Sequence, residues 1–521
     1  MIPTLRCTLQ LWQAPTMTVA NSSTEHHDSL ARTAGRAPAA AGSPTLAPTL
    51  GSGDGFLFER LASELSRMVS AMRPGDRLPS LRSVVKRYGV SLATAELALR
   101  RLEGEGLIEA RPRSGFFVRQ RAEAPPPRMP RRTALALQPS VAQRVRALIE
   151  TMRHPEVVPL GGATLSPSLL PVDGLANVTA RVLRAAGAAG VGYDVPPGSL
   201  PLRRQIARRM TERGAPSTPD EILTTVGCME ALQLALRLLT QPGDTVAVES
   251  PTYYGLLQLL ETLSLKAVEI PAHPETGMCL DSLEQVLATQ PVAAVLVNPC
   301  YLNPLGALMP DPHKLRLTHL LHRHQTWAIE DDIYGDLGHD PDLRPRPLRA
   351  FDAERVLHVS SFSKSLAPGY RVGWLCPGPF LERALALQFA GIVATPTPTS
   401  LAVSAYLEGG AFDRHLRRLR PLLRSQVAQY RDALTAVMPA GTRISSPQGG
   451  FVLWVELDGP IGLDTELMRQ ALERQIAIAP GSIFSARERF SQAIRVNCGH
   501  PLEGRFARAI ETLGAIAHRL A

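Results

Sequence analysis

Only four of the 56 basic residues in this 521-residue chain are lysines: Lys86, Lys266, Lys314 and Lys364. Chemistry that needs a primary amine must use one of them. Lys364 stands apart. It lies in SFSKSLAPGYR (361–371), directly after the strand-like run VLHVSS (356–361). Strand ends of open parallel sheets are where ligands bind, so an amine there is well placed to meet an aldehyde. Lys266 and Lys314 read as ordinary surface lysines. Asp331 closes a second strand-like run, WAIEDD (327–332). A carboxylate beside a pyridine nitrogen keeps that nitrogen protonated, so the ring can serve as an electron sink. Gly227-Cys228-Met229 opens the helical stretch EALQLALRLL, and the free N–H groups of a helix start bind phosphate. Ser361, Ser363 and Arg371 add hydroxyls and a fixed positive charge at the same point. Singly, each has an ordinary role: Lys364 on the surface, Asp331 as a helix cap beside Asp332, Gly227 in a tight turn. Together, sites for an aldehyde, a pyridine and a phosphate point to pyridoxal phosphate.

These residues need a scaffold, and from about 155 to 521 short β-branched runs alternate with helical stretches. TVAVES (245–250) and AAVLVNP (293–299) are further examples. Such alternation predicts a mostly parallel sheet covered on both faces. Residues 1–54 are rich in Ala, Thr, Ser, Pro and Gly without apolar periodicity, and read as a disordered tail or as sequence upstream of the true start. Residues 122–154 contain AEAPPPRMPRRTALALQPS (122–140), whose prolines predict a semi-rigid linker.

Between tail and linker, residues 55–121 read as short helices followed by a hairpin. Over 56–121 there are 13 Arg+Lys against 7 Asp+Glu, an excess of 13 − 7 = +6 within a whole-chain charge of 56 − 47 = +9. That concentration suggests a polyanionic partner, although a solvated basic face has the same composition. Ser80 is placed to cap a helix running through Tyr88, Gly89 supplies a turn, and Ser91 caps the next helix. On that helix Ala95, Leu99 and Leu102 form a buried stripe, with Thr94 and Arg101 on other faces. LIEAR and GFFVR flank the turn Pro112-Arg113-Ser114-Gly115, from whose tip Arg113 can reach phosphates or a minor groove.

Composition excludes several classes. Apolar residues make up 45% and charged residues 20%, which is neither disordered nor fibrous. No run of 18 or more apolar residues appears, so no membrane span is expected. The six cysteines (Cys7, Cys228, Cys279, Cys300, Cys376, Cys498) form no CxxC pair, which argues against a metal site or a disulfide framework. The N-terminus is a poor secretory signal, and a cytoplasmic location is expected.

GDRLPS-x-R, YGVS and LEGEGLIEARPRSGFFV together resemble the winged helix-turn-helix of the GntR family of bacterial regulators. The resemblance implies double-stranded operator DNA as partner. It puts Arg77 and Arg82 on phosphates, Ser80 and Ser91 at capping positions near the backbone, and Thr94 facing bases. Arg113 and Gly115 would belong to the wing. Leu92 and Glu96 stand where many members carry base-reading arginines.

From about 155 onward the chain resembles fold-type I aminotransferases, an α/β fold with a smaller C-terminal α+β subdomain, here from about 434. The matching stretches are GYDVPPGSLPLRRQIARRM, TTVGCMEALQLAL, VESPTYYG, VNPCYLNPLG, EDDIYGDL, SFSKSLAPGYRVGW and IRVNCGH. By that resemblance Lys364 forms the Schiff base with pyridoxal phosphate and Asp331 pairs with the ring nitrogen. Asn303 and Tyr334 would bond the phenolic oxygen, and Tyr253 would stack on the ring. Gly227, Cys228, Met229, Ser361, Ser363 and Arg371 would hold the phosphate, with Tyr193 reaching in from the partner of a homodimer. Arg495 would clamp the α-carboxylate of an amino compound, its ordinary alternative being a strand-edge charge. Asn303-Pro304-Leu305-Gly306 stands where members often have Asn-Pro-Thr-Gly.

A GntR-type winged helix, a linker and an aminotransferase-like domain, in that order, resemble the MocR subgroup of regulators. The leading reading is a transcriptional regulator that binds pyridoxal phosphate and senses it, or an amino compound condensing with it. The alternative is an active aminotransferase with an accessory DNA-binding domain. A third reading, a sensor of the cofactor alone, needs no Arg495.

Overall fold

The computed structural model describes residues 57–104, 106–111, 114–119, 124–130, 136–151, 153–340 and 343–521. The expected tail, 1–54, and Arg113 lie outside the described residues.

The first module has helices α1 (Leu57–Ser70), α2 (Leu81–Tyr88) and α3 (Leu92–Gly104) and a hairpin of β1 (Ile108–Arg111) and β2 (Gly115–Val118). Leu61, Leu65 and Val69 recur every fourth residue on α1 and pack with Ala95, Leu99 and Leu102 of α3. Ser80 Oγ accepts the Ser83 N–H (3.2 Å), and Gly89 ends α2 at φ 63°, a left-handed turn that suits glycine. Ser91 Oγ likewise accepts the Thr94 N–H (3.1 Å) at the start of α3. The hairpin pairs Ile108 with Val118 and Arg111 with Gly115.

The stretch read as a linker is held down along much of its length. The Ile444 N–H donates to Pro125 O (3.0 Å), and the Arg128 N–H donates to Glu456 (2.9 Å). Leu137 pairs with Ala267. Residues Ala142–Thr151 form a helix, α4, whose Val145 and Leu148 share a core with the large module. Proline density signals loss of regular structure but not loss of contact: backbone groups of Pro125, Arg128 and Leu137 make the first contacts, and the apolar Val141, Val145 and Leu148 add to them.

The large module is built on eight strands: β3 (Leu223–Thr225), β4 (Thr245–Ser250), β5 (Lys266–His273), β6 (Gly277–Met278), β7 (Ala294–Val297), β8 (Trp327–Asp331), β9 (Val356–Ser361) and β10 (Gly373–Cys376). Their order is β3-β10-β9-β8-β7-β4-β5-β6. The run β9 to β5 is parallel, whereas β10 is antiparallel to both its neighbours and β6 to β5, so the sheet is mixed. β7 and β9 are buried at every position, as expected for strands covered on both faces. Helix α5 (Cys228–Leu239) packs over β8, β9 and β10.

The 27-residue helix α6 (Ala411–Val437) leads into a four-stranded sheet of β11 (Arg443–Ile444), β12 (Val452–Glu456), β13 (Ala479–Pro480) and β14 (Ala493–Asn497), ordered β11-β12-β14-β13. Val158 and Pro159 pair with Ile476 and Ala477, so the chain just after α4 also joins this smaller part. The first module rests on α6: Ser425 and Gln429 donate to Gly104 O, and Arg119 faces Asp432. Among the described residues, no helix is long and apolar enough to cross a membrane. No group of three or more His, Cys, Asp or Glu side chains that could hold a metal occurs among them.

Candidate functional site

Parallel pairing of β8 with β9 sets Asp331 opposite Val359, so the turn after β9 carries Lys364 to the same end of the sheet as Asp331. Lys364 Nζ donates to Ala163 O (2.6 Å). Burial, reinforced by the Arg495 cation, lowers this amine to about 8. Asp331 is buried, which raises its carboxyl to about 6. Its Oδ1 accepts the Cys228 thiol (3.4 Å) and the Ile333 N–H (3.2 Å).

Gly227 caps α5 at φ 81°, and a side chain there would overlap the Arg371 guanidinium. Arg371 itself takes a left-handed conformation (φ 54°) and donates to Ser363 Oγ (3.2 Å) and Val226 O (3.0 Å). Ser361 Oγ accepts the Ser363 N–H (3.2 Å). The start of α5, where Cys228 is buried and Met229 half-buried, thus meets two hydroxyls and a guanidinium. These groups suit a phosphate.

Arg495 is fully buried on β14, between Trp454 of β12 and Ala479 of β13, and so is no strand-edge charge. It donates to Asn303 Oδ1 (3.1 Å) and Gly161 O (2.6 Å) and lies 5.1 Å from the Phe484 ring centroid. The hydroxyl of Tyr334 is buried with no hydrogen-bond partner, and burial raises both Tyr334 and Tyr253 above the usual tyrosine range. A phosphorylated pyridine aldehyde fits this donor set: an amine, a carboxylate, an orphaned phenol and an anion cradle.

Tyr193 is 83% exposed, outside the site of its own chain. Lys266 is exposed as expected, but Lys314 is not a surface lysine. It is 1% exposed, and Nζ donates to Arg346 O (2.6 Å). Its amine is thus spent on closing a loop against the helix that carries it. The carbonyls of Gly161 and Ala163 and the side-chain role of Cys228 were not legible in the sequence. The first two come from a segment about 200 residues away from Lys364, and backbone carbonyls leave no residue signature.

On the first module Arg77 and Arg82 are exposed, and their side chains make no ion pair among the described residues. Gly115 starts β2 beside Arg77. Ser80 and Ser91 serve as caps. Thr94 is half-buried with its hydroxyl on Ser91 Oγ (2.7 Å), so its hydrogen-bonding capacity is partly committed to the cap. Glu96 pairs with Arg100 (2.7 Å), and Leu92 is 56% exposed.

Comparison with known proteins gives two family matches. The family of bacterial regulatory proteins, gntR family, matches residues 57–118, and aminotransferase class I and II matches residues 171–513. The HTH-type transcriptional regulator YjiR of Escherichia coli is 36% identical over 469 residues, covering 89% of this chain and 99% of YjiR. Aromatic-amino-acid aminotransferase 1 of Thermococcus litoralis is 32% identical, covering 71% of this chain and 90% of its own. Among solved structures, α-aminoadipate aminotransferase LysN of Thermus thermophilus, complexed with N-(5'-phosphopyridoxyl)-L-leucine, superposes with a TM-score of 0.66. It is 29% identical and covers 72% of this chain and 94% of its own.

Proposed function

Because the chain belongs to the MocR-type regulators, a GntR-family winged helix-turn-helix joined to an aminotransferase class I and II domain, we propose that it is a transcriptional regulator whose DNA affinity responds to pyridoxal phosphate or to an amino compound presented to it. When bound, the cofactor supplies an aldehyde that captures primary amines and a ring that withdraws electron density. In this reading Lys364 is the attachment amine, kept partly neutral at physiological pH by burial and Arg495. Asp331 holds the ring nitrogen, Tyr253 stacks on the ring, and Asn303 and Tyr334 serve its phenolic oxygen. Gly227, Cys228, Met229, Ser361, Ser363 and Arg371 hold the phosphate. Arg495 orients a carboxylate. Arg77, Arg82 and Gly115, with Arg113, face the DNA backbone; Ser80 caps α2, Ser91 caps α3, the helix that enters the groove, and Thr94 on α3 faces the bases. Such a regulator acts in the cytoplasm, where its operator lies.

The observation that carries this reading is the placement of a buried amine of lowered pKa in front of a buried carboxylate, in a chain that also displays unpaired arginines on a winged helix. A gel-shift titration tests it. Pyridoxal phosphate, alone or with amines, should change operator affinity for wild type and leave Lys364→Ala unresponsive, since a ligand shifts an equilibrium only through differential affinity. Identical responses in both proteins would break the link. The enzyme reading draws on the same buried Arg495, which is held by Asn303 and Gly161 in a position suited to a carboxylate. Rapid accumulation of the pyridoxamine form on adding amino acids would select that reading.

A homodimer belongs to the same reading. Val191, Tyr193 and Val195 are 87%, 83% and 52% exposed, and Val393 is 42% exposed. The Asp194–Thr395 bridge joins the two segments into one apolar patch. Burying that patch against a second copy would carry Tyr193 to the partner's phosphate cradle.

A further inference from the structure

Asp331 has two carboxylate oxygens with different surroundings. Oδ1 accepts both the Cys228 thiol (3.4 Å) and the Ile333 N–H (3.2 Å), while no described hydrogen bond reaches Oδ2. Cys228 is the first residue of α5, and its side chain is buried. The thiol therefore ties the start of this helix to the end of β8. An ionised carboxylate with one oxygen saturated by donors presents the other, in a fixed direction, to an incoming cation.

We propose that Cys228 is a positioning residue for the cofactor's ring: its thiol anchors Oδ1 of Asp331 so that Oδ2 is left for the protonated pyridine nitrogen. This rests on the reading of the site as a pyridoxal phosphate site. It differs from the phosphate role expected for Cys228, which uses only the backbone N–H. A buried carboxylate is hard to keep ionised, and each donor to it favours the charged form. The thiol cannot compete by ionising, because burial and Asp331 itself hold it well above the usual thiol range.

The other groups facing Asp331 act alongside this bond. Asp332 and Tyr334 stand on its own loop, with Glu249 at the end of β4 and Tyr253 just after it, His358 on β9 and Lys364 after that strand. None of their side chains hydrogen-bonds either oxygen of Asp331 among the described residues. The Cys228 thiol is therefore the one side-chain donor to Asp331 in that set.

The test uses the full-length protein loaded with pyridoxal phosphate, and follows the loss of the bound cofactor's absorption as pH is lowered. Cys228→Ala removes a donor to the carboxylate, so Asp331 protonates earlier on acidification. The acid midpoint should rise by about half a unit, a roughly threefold change in the protonation constant. Cys228→Ser supplies a stronger donor and should keep the midpoint at or below that of wild type. In an Asp331→Asn background the Ala substitution should leave the midpoint unmoved, since the group it acts through has gone. Equal midpoints for wild type, Ala and Ser, or an undiminished Ala shift in the Asp331→Asn background, would overturn the proposal. A wild type that takes up no chromophore would overturn this proposal and the cofactor reading together, whereas equal midpoints in a loaded protein overturn this one alone.

Discussion

The buried Lys364 amine offers a direct quantitative prediction. Only the neutral amine attacks an aldehyde. At an amine pKa of about 8, about a quarter of Lys364 is neutral at about pH 7.5, against about 0.1% for an ordinary lysine at 10.5, a roughly two-hundredfold difference. The shift comes first from burial and next from Arg495, so Arg495→Gln tests the second cause separately. Removing a like charge beside a buried amine moves its midpoint up by about one unit. At the same pH the neutral fraction then falls to about 3%, roughly eightfold. The sign is fixed: a lowered amine pKa makes capture of pyridoxal phosphate accelerate as pH rises through about 8, and the variant's profile is displaced to higher pH. Stopped-flow absorbance of apoprotein mixed with pyridoxal phosphate, across pH 6.5 to 10.5, measures both profiles. A wild-type midpoint near that of an ordinary lysine would refute the burial argument. Coincident wild-type and Arg495→Gln profiles would refute the role assigned to the guanidinium.

Three further outcomes are expected. Arg82→Ala, removing one unpaired surface cation from the winged helix, should weaken operator and random DNA alike and reduce the slope of log affinity against log salt by about 0.9, while Thr94→Ala should mainly narrow the gap between the two DNAs; equal salt slopes for Arg82→Ala and wild type would remove that arginine from the phosphates. Light scattering at micromolar concentration should give a dimer mass without DNA, and a monomer would leave exposed Tyr193 and its apolar neighbours without the role proposed for them.

Residues near one another in the chain were legible in the sequence. Ser80, Gly89 and Ser91 announce the helix ends that the structure has, because capping involves groups only two to four residues apart. The runs at 245–250, 327–331 and 356–361 lie on strands, since strands of a parallel sheet covered on both faces read as short, mostly apolar and β-branched runs. Lys364, Asp331 and Gly227 were legible for a related reason: each sits at the end of such an element, where side chains leave the sheet. Tertiary structure decided what surrounds them. It turned β10 against its neighbours, bound the proline-rich segment to the large module, and buried Lys314 under a loop carbonyl. It also brought the Ala163 carbonyl to Lys364 and the Cys228 thiol to Asp331, 103 positions apart. Such contacts join segments whose separation in sequence carries no periodic signal. The lowered pKa of Lys364 belongs with them, because a charge is penalised by the atoms packed around it and not by its chain neighbours.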